Sequence, residues 1–256
     1  MNGIDVSHHQ GAINWATVAK NGIDFAIIKA GGSDKGFYKD EYFEANYAGA
    51  KSAGLHVGAY YFVGAGCVTR ADGIADAKRF ISIINGKQFD FPVYIDIEKT
   101  PTSAKEGATE AVIGFCETME DAGYFCGIYA SDISGFKERV NLSNLTKFAK
   151  WVARYGSRPQ YVAEWGIWQY SETGRVSGIA GNVDLDECST DYSVVIKTAG
   201  FNGYPKPENP AKATKTVMYI PGITAADVQT YLAWTAALGA GEYKDTAQDF
   251  ERFLNE

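Results

Sequence analysis

The chain is poor in the residue types that would commit it to several common chemistries. Its 256 residues include only three histidines and four cysteines. Cys67, Cys116, Cys126 and Cys188 form no CxxC pair and no metal-ligand spacing, which favours buried free thiols over a zinc or redox site. No apolar run approaches the roughly 18 residues of a membrane span, so no membrane insertion is expected. Positive charge is in deficit: 24 Lys and Arg stand against 31 Asp and Glu, a net charge of −7 with no basic tail. That balance argues against nucleic acid or an anionic membrane surface as a partner.

Acidic residues, by contrast, stand at informative places. Pro92-Val93-Tyr94-Ile95-Asp96-Ile97-Glu98 reads as a buried strand ending in two carboxylates. Side chains two apart on a strand share a face, so Asp96 and Glu98 project together. Crowded carboxylates repel each other's charge, which raises one pKa and leaves a proton donor beside an ionised partner. Cleavage of a glycosidic bond requires that pairing. The plain alternative is a strand end feeding a solvated acidic loop. Two further acidic strand ends tilt the balance: Gly3-Ile4-Asp5-Val6, and Val183-Asp184-Leu185-Asp186, where Asp184 and Asp186 share a face. Parallel barrels gather such groups at one rim.

The first half alternates strand and helix signals. Strands read at 3–7, 25–30, 56–63, 92–98 and 125–130, with helices at 15–20, 42–53, 70–84 and 104–122. Later strands at 151–155, 166–171 and 183–186 are separated by glycine-rich gaps too short for helices. The expected fold is α/β: an irregular, TIM-like, parallel-type β/α barrel of about eight strands, helix-poor in its second half, with helices in the first five crossovers. Residues 1–196 form this barrel and 197–216, rich in Pro, Asn and Gly, read as a linker. Residues 217–256 read as a small βαβα appendage, too short for a comfortable core of its own. It is expected to bind a surface or to self-associate, giving a homodimer through residues 217–256.

These residues resemble glycoside hydrolase family 25, the Chalaropsis-type lysozymes common among phage endolysins. Gly3-Ile4-Asp5-Val6-Ser7-His8-His9-Gln10-Gly11 is similar to the family's opening signature, PVYIDIE to its paired-carboxylate motif, and Trp168-Gln169-Tyr170-Ser171 through Val183-Asp184 to its C-terminal signature. The resemblance covers residues 1 to about 195. It implies hydrolysis of the β-1,4 bond between N-acetylmuramic acid and N-acetylglucosamine in bacterial peptidoglycan. It further implies Glu98 as general acid, with Asp96, Asp5 and Asp184 as the other acidic cleft residues. Two mechanisms stay open: direct displacement through Asp5 or Asp184, or attack by the substrate's own N-acetyl carbonyl with Asp96 stabilising the developing charge. The Asp-x-Glu spacing and the resemblance favour the second. Two positions depart from the family pattern: Asp186, where Asn is common, and Tyr61, where His is common.

Aromatic residues late in their strands, Tyr60, Tyr129 and Trp168, are expected to contact sugar, with Gln169 and Asp186 as further substrate contacts. Trp151 and Tyr155 divide evenly between core and cleft. Neighbouring strand residues point to opposite faces, so His8 and His9 are not expected to share a metal ion, and no cofactor is expected. Met1 leads directly into the first strand without a charged or apolar leader. The expectation is therefore a protein made in a host cytoplasm that acts on the cell wall, with a holin giving access if it is phage-encoded. The competing readings are a catalytically inactive peptidoglycan-binding module and a secreted autolysin.

Overall fold

A strand with helices on one side and a closed barrel on the other is buried on both faces, as Phe25–Gly32 and Val93–Asp96 are throughout. The structure, a computed structural model, describes residues 1–206. The elements in chain order are β1 (Asn2–Val6), α1 (Trp15–Lys20), β2 (Phe25–Gly32), β3 (Tyr38–Lys39), α2 (Phe43–Ser52), β4 (His56–Phe62) and α3 (Arg70–Ile84). They continue with β5 (Val93–Asp96), α4 (Lys105–Asp121), β6 (Cys126–Ser131), β7 (Ala149–Ala153), β8 (Ile167–Gly174), β9 (Val183–Cys188) and α5 (Tyr192–Ala199). The remainder of the expected linker and the expected appendage at 217–256, with its self-association, lie outside the described residues.

Eight of the described strands close into a ring in the order β1-β9-β8-β7-β6-β5-β4-β2, and β1 pairs back onto β2. The short β3 lies outside the ring, antiparallel to β2. The ring is parallel from β1 through β2 to β8, but β9 runs antiparallel to both β8 and β1. The irregular barrel expected from the sequence is therefore present, with one strand reversed. A parallel return from β8 needs a crossover of a dozen or more residues, whereas an antiparallel neighbour needs only a turn. The short gap before Val183 leaves only the second option. Helices fill four crossovers rather than five. Between β6 and β7 there is only a π-helical turn, Asp132–Lys137, and a 3-10 turn, Leu142–Asn144.

Alternation along the strands builds two cores. Ile28, Ala59, Tyr61, Ile95 and Ile128 face outward and pack with Phe80, Val112 and Phe115 of the helices. Phe25, Ile27, Tyr60, Tyr94, Tyr129, Trp151 and Ile167 fill the barrel interior. The interior admits these rings because their inward neighbours are glycines. A Cβ on Gly3 would lie 2.2 Å from the Phe25 ring, and one on Gly127 would lie 2.5 Å from the Tyr94 ring. Each ring so accommodated stabilises the fold by ~1.5–3 kcal/mol through burial.

The chain after β9 is structured further than the sequence indicated. Helix α5 is capped by the Asp191 side chain, which accepts from Val194 N, and ends at Gly200 in the left-handed region. Its Tyr192 and Ile196 enter the interior cluster from below. Asn202, fully buried, donates from Nδ2 to Phe91 O at 2.8 Å and accepts from Phe125 N at 2.7 Å. Tyr204 donates to Asp90 at 2.6 Å. The first part of the stretch read as a linker is thus a plug beneath β5 and β6.

Asn202→Ala is expected to cost ~2–4 kcal/mol, because it leaves two buried backbone groups unpaired and places Ala at a positive φ. Urea unfolding of the full chain reads this directly. A loss within about 0.5 kcal/mol, the size of an ordinary surface change, would mean that the segment does behave as a linker.

Candidate active site

The signature at the N-terminus makes the first wall of the site. The Ser7 side chain accepts from His9 N at 3.2 Å, and Gln10 Oε1 accepts from Ser7 N at 2.9 Å, a reciprocal cap on the short turn His8–Gln10. Gln10 Nε2 also donates to Asn182 O at 3.3 Å, tying this turn to the start of β9. The Ser-x-x-Gln spacing is therefore structural: it fixes the loop above Asp5. In that turn the two histidine rings lie 4.0 Å apart on the same side. Their expected divergence assumed a strand and does not occur. His8 Nδ1 is 2.7 Å from Asp40 Oδ2. Among the described residues no three His, Cys, Asp or Glu side chains converge as metal ligands.

At the C-terminal rim of the parallel strands a cleft of about 440 Å3 opens. Asp5, Asp96, Glu98 and Asp184 all line it, as do Tyr60, Tyr129, Trp151, Tyr155, Gln169 and Glu172. β5 stops at Asp96, but its ladder extends one step, with Ile97 N donating to Tyr129 O at 3.1 Å. That step carries Glu98 onto the same face as Asp96, at the lip. Asp96 is 3% exposed and its Oδ1 meets no donor. Burial pushes its pKa well up, and the Glu98 charge adds to this against the pull of Lys29 and Lys99. Glu98 touches solvent yet is walled by protein, so desolvation raises its pKa too, opposed by Lys99, Lys29 and Arg139. Charge repulsion, the cause expected from the sequence, is thus secondary to burial.

Gln169 organises the other side. Its Nε2 donates to Asp5 Oδ2 at 2.7 Å, while its Oε1 accepts from Tyr129 at 2.9 Å and from Tyr155 at 3.1 Å. The amide orients Asp5 from within the cleft lining, where a substrate contact was expected of it. The aromatic floor is continuous: Trp151 lies 4.3 Å from Tyr129, 5.3 Å from Tyr94 and 5.9 Å from Tyr60 between ring centroids.

The reversed strand explains two misplacements. Residues near the start of β9, not its end, reach the rim, so Asp184 lines the cleft while Asp186 lies one layer deeper at 0% exposure. Asp186, expected as a substrate contact, therefore lies beneath the cleft lining rather than on it. Trp168 is early in β8 and faces away from the interior side chains Ile167 and Gln169. It is half-buried, donates to Arg154 O at 2.8 Å and does not line the cleft. Tyr61 likewise points outward, donating to Asp76 at 3.3 Å, so the departure from His there leaves the cleft untouched. Lys29, Lys35, Tyr38, Phe62, Lys99 and Glu172 line the cleft without having been singled out. For Lys29 the signal was available, since it shares the inward face with Phe25 and Ile27.

Asp5, Asp184 and Asp186 form a buried acid cluster. Asp186 Oδ1 accepts from Trp151 Nε1 at 2.7 Å, and its Oδ2 has no donor among the described residues. Asp5 and Asp186 are in side-chain hydrogen-bond contact. A hydrogen bond between two carboxyls requires that one of them hold a proton. Burial raises Asp186 to about 8, opposed by Trp151 and helped by Asp184. Asp5 is raised well above the usual range by burial, then by the charges of Asp186 and Asp184. Asp184, more open, is raised to about 6, chiefly by burial. Tyr94, Tyr170 and Cys188 also feel the Asp186 charge, and all of them are acids.

The sequence profile of the family described as Glycosyl hydrolases family 25 matches residues 4–179. The chain is similar to "Autolytic lysozyme" of Clostridium acetobutylicum, 32% identical over 74% of this chain and 56% of that one. It is 35% identical to "Lysozyme M1" of Streptomyces globisporus over 72% of this chain and 66% of that one. The chain thus spans a little over half the length of the first relative and about two thirds of the second. Among solved structures, the CTP1L endolysin superposes with a TM-score of 0.68 at 28% identity, covering 77% of this chain and 69% of that one.

A carboxyl whose pKa is raised on folding holds its proton more tightly in the folded state. Its stabilising effect is full below 3.8 and is lost as pH climbs through about 8 for Asp186. Asp186→Asn keeps a donor towards Asp5 and has no proton to lose. Its melting temperature should therefore fall less steeply than wild type between pH 5 and pH 9. Asp186→Leu removes the partner of both Trp151 and Asp5 and should melt lower throughout. Equal slopes for wild type and the Asn variant would refute the shared proton.

Proposed function

The chain belongs to glycosyl hydrolases family 25, and on that premise we propose that it is a glycoside hydrolase, an N-acetylmuramidase that cleaves the β-1,4 bond between N-acetylmuramic acid and N-acetylglucosamine in bacterial peptidoglycan. The observation that carries this reading is the set of four carboxyl groups on one aromatic-floored cleft, with Glu98 keeping its proton above the ordinary carboxyl range at the lip. Relatives and a solved neighbour that carry lysozyme and endolysin names support it. A wall-binding module without activity has no use for carboxyls that are costly to bury.

In the proposed reaction Glu98 donates its proton to the leaving glycosidic oxygen as the bond to C1 breaks. The N-acetyl carbonyl of the substrate attacks C1 from the opposite face, and Asp96 stabilises the positive charge that develops on that group. Lys29 and Lys99 favour the ionised form of Asp96 against its burial. Glu98, now a carboxylate, takes a proton from the water that opens the cyclic intermediate. Asp5 and Asp184 shape and polarise the opposite wall. A lytic role in phage release, with a holin providing access to the wall, and avidity from a self-associating segment at 217–256 complete the proposal.

Digestion of purified peptidoglycan is expected to leave muramic acid at the new reducing ends; glucosamine ends or no cleavage would overturn the assignment. Glu98→Gln should lower kcat by about 10²–10⁴-fold with folding unchanged, and Asp96→Asn should come close to it. Retention of more than about a tenth of the wild-type rate by Glu98→Gln would remove Glu98 as the acid, since that is a smaller loss than a general acid's removal causes.

A further inference from the structure

One wall of the cleft carries the opposite charge from the carboxyl groups that line the rest of it. Lys29 at the upper end of β2, Lys35 in the turn after it and Lys99 just beyond Glu98 all line the cleft. Their ammonium groups surround two rings. Lys29 Nζ lies 4.4 Å from the Phe62 centroid and 5.8 Å from that of Tyr38. Lys99 Nζ is 5.8 Å from the Phe62 centroid, and Lys35 Nζ is 5.1 Å from that of Tyr38. Ring faces attract cations, but they leave the charge in place.

None of the three ammonium groups has a hydrogen bond or an ion pair among the described residues. Lys39, Lys51, Lys87, Lys147 and Lys197 all pair with carboxylates. The contrast is sharpest at Lys29, which is only 8% exposed. A buried ammonium normally has a close partner. Burial lowers the Lys29 pKa; Asp96, Asp34 and Asp40 attract its charge, yet none stands within ion-pair distance, and Lys35 repels it. The positive field reaches His9 across the cleft, whose pKa is lowered by burial, by His8 and then by Lys29 and Lys35. Three unpaired cations on one wall of an acidic protein make a site for an anion.

We propose that Lys29, Lys35 and Lys99 form a carboxylate subsite that grips the acidic substituent of the muramic acid ring. This rests on the muramidase reading and deepens it. The substituent supplies a carboxylate from either of two sources: the bare lactyl ether, or a stem peptide attached through it. Chitin-like chains carry neither. The subsite would therefore select muramic acid over glucosamine at that position, and it would offset the repulsion between an anionic polymer and the carboxyl groups of the cleft.

The test uses the full chain carrying Glu98→Gln, which binds without cutting. Equilibrium binding is measured to soluble glycan strands of three kinds: with stem peptides, with stems removed to leave the lactyl carboxylate, and with that carboxylate converted to a methylamide. Neutralising the carboxylate should weaken binding by about tenfold, the effect of one lost charge-assisted contact. Adding Lys35→Gln and Lys99→Gln, both at exposed positions, should abolish that difference, so that charged and neutralised strands bind alike. Tight binding to stripped strands identifies the lactyl group as the source; tight binding only to stem-bearing strands identifies the peptide. If the double lysine substitution leaves the tenfold difference intact, or if neutralisation has no effect in either protein, the subsite does not exist. Failure of the muramidase reading would appear separately, as glucosamine reducing ends from the wild-type enzyme.

Discussion

Burying carboxyl groups is what the rest of this structure is arranged to tolerate. Asp5, Asp96 and Asp186 are each at most 5% exposed, and none has an ion pair among the described residues. An isolated carboxylate moved into such surroundings costs several kcal/mol after relaxation. The molecule meets that cost with protons and dipoles. Trp151 donates to Asp186, Gln169 donates to Asp5, and the acids hold protons between themselves. The result is a set of carboxyls whose pKa values stand above the ordinary range, the kind of shift that acid catalysis by Glu98 also uses.

Such an arrangement requires a rigid frame, because a carboxyl that can turn towards water loses its shifted pKa. Closure of the ring through β1 and β2 supplies it. With no free edge in the ring, each inward side chain is held by neighbours on both sides. Phe25, Ile27, Ile167 and Tyr94 fill the interior, and Tyr60, Tyr129 and Trp151 belong both to that cluster and to the cleft lining beside the acids. The aromatic layer does two things at once. It seals the core beneath the acids and keeps their surroundings low in polarisability, so packing and electrostatics are one feature here.

Much of this was legible in the sequence because strand alternation is a local rule. Asp5, Asp96, Glu98 and Asp184 could be placed on inward faces at strand ends without knowing which strands pair. What could not be read depended on non-local facts. His8 and His9 were assigned opposite faces as strand residues, but Ser7 and Gln10 cap a turn there instead. Trp168 was taken to lie late in its strand, yet β8 begins only one residue earlier and runs on to Gly174. Helix α5 did carry a signal, in Asp191 before it and Gly200 after it. The proline and asparagine content that follows obscured it.

The reversal of β9 ties these points together. A ninth-position strand running parallel would have put Asp186 at the rim and Asp184 beneath it, with two exposed acids and no buried pair. Running antiparallel, β9 sets Asp184 opposite Asp5 and Asp186 opposite Gly3. From there Asp186 accepts from the Trp151 indole and lies within reach of Asp5. A strand direction fixed by the length of one short connection therefore decides which acid meets solvent and which keeps a proton. The lysines lie on β2, in the turn after it and after β5, where Asp96, Asp34 and Asp40 attract Lys29 without reaching ion-pair distance. Separation of the two charges across the cleft follows from the topology, and it orients any chain that carries neutral sugar rings and an acidic substituent on alternate units.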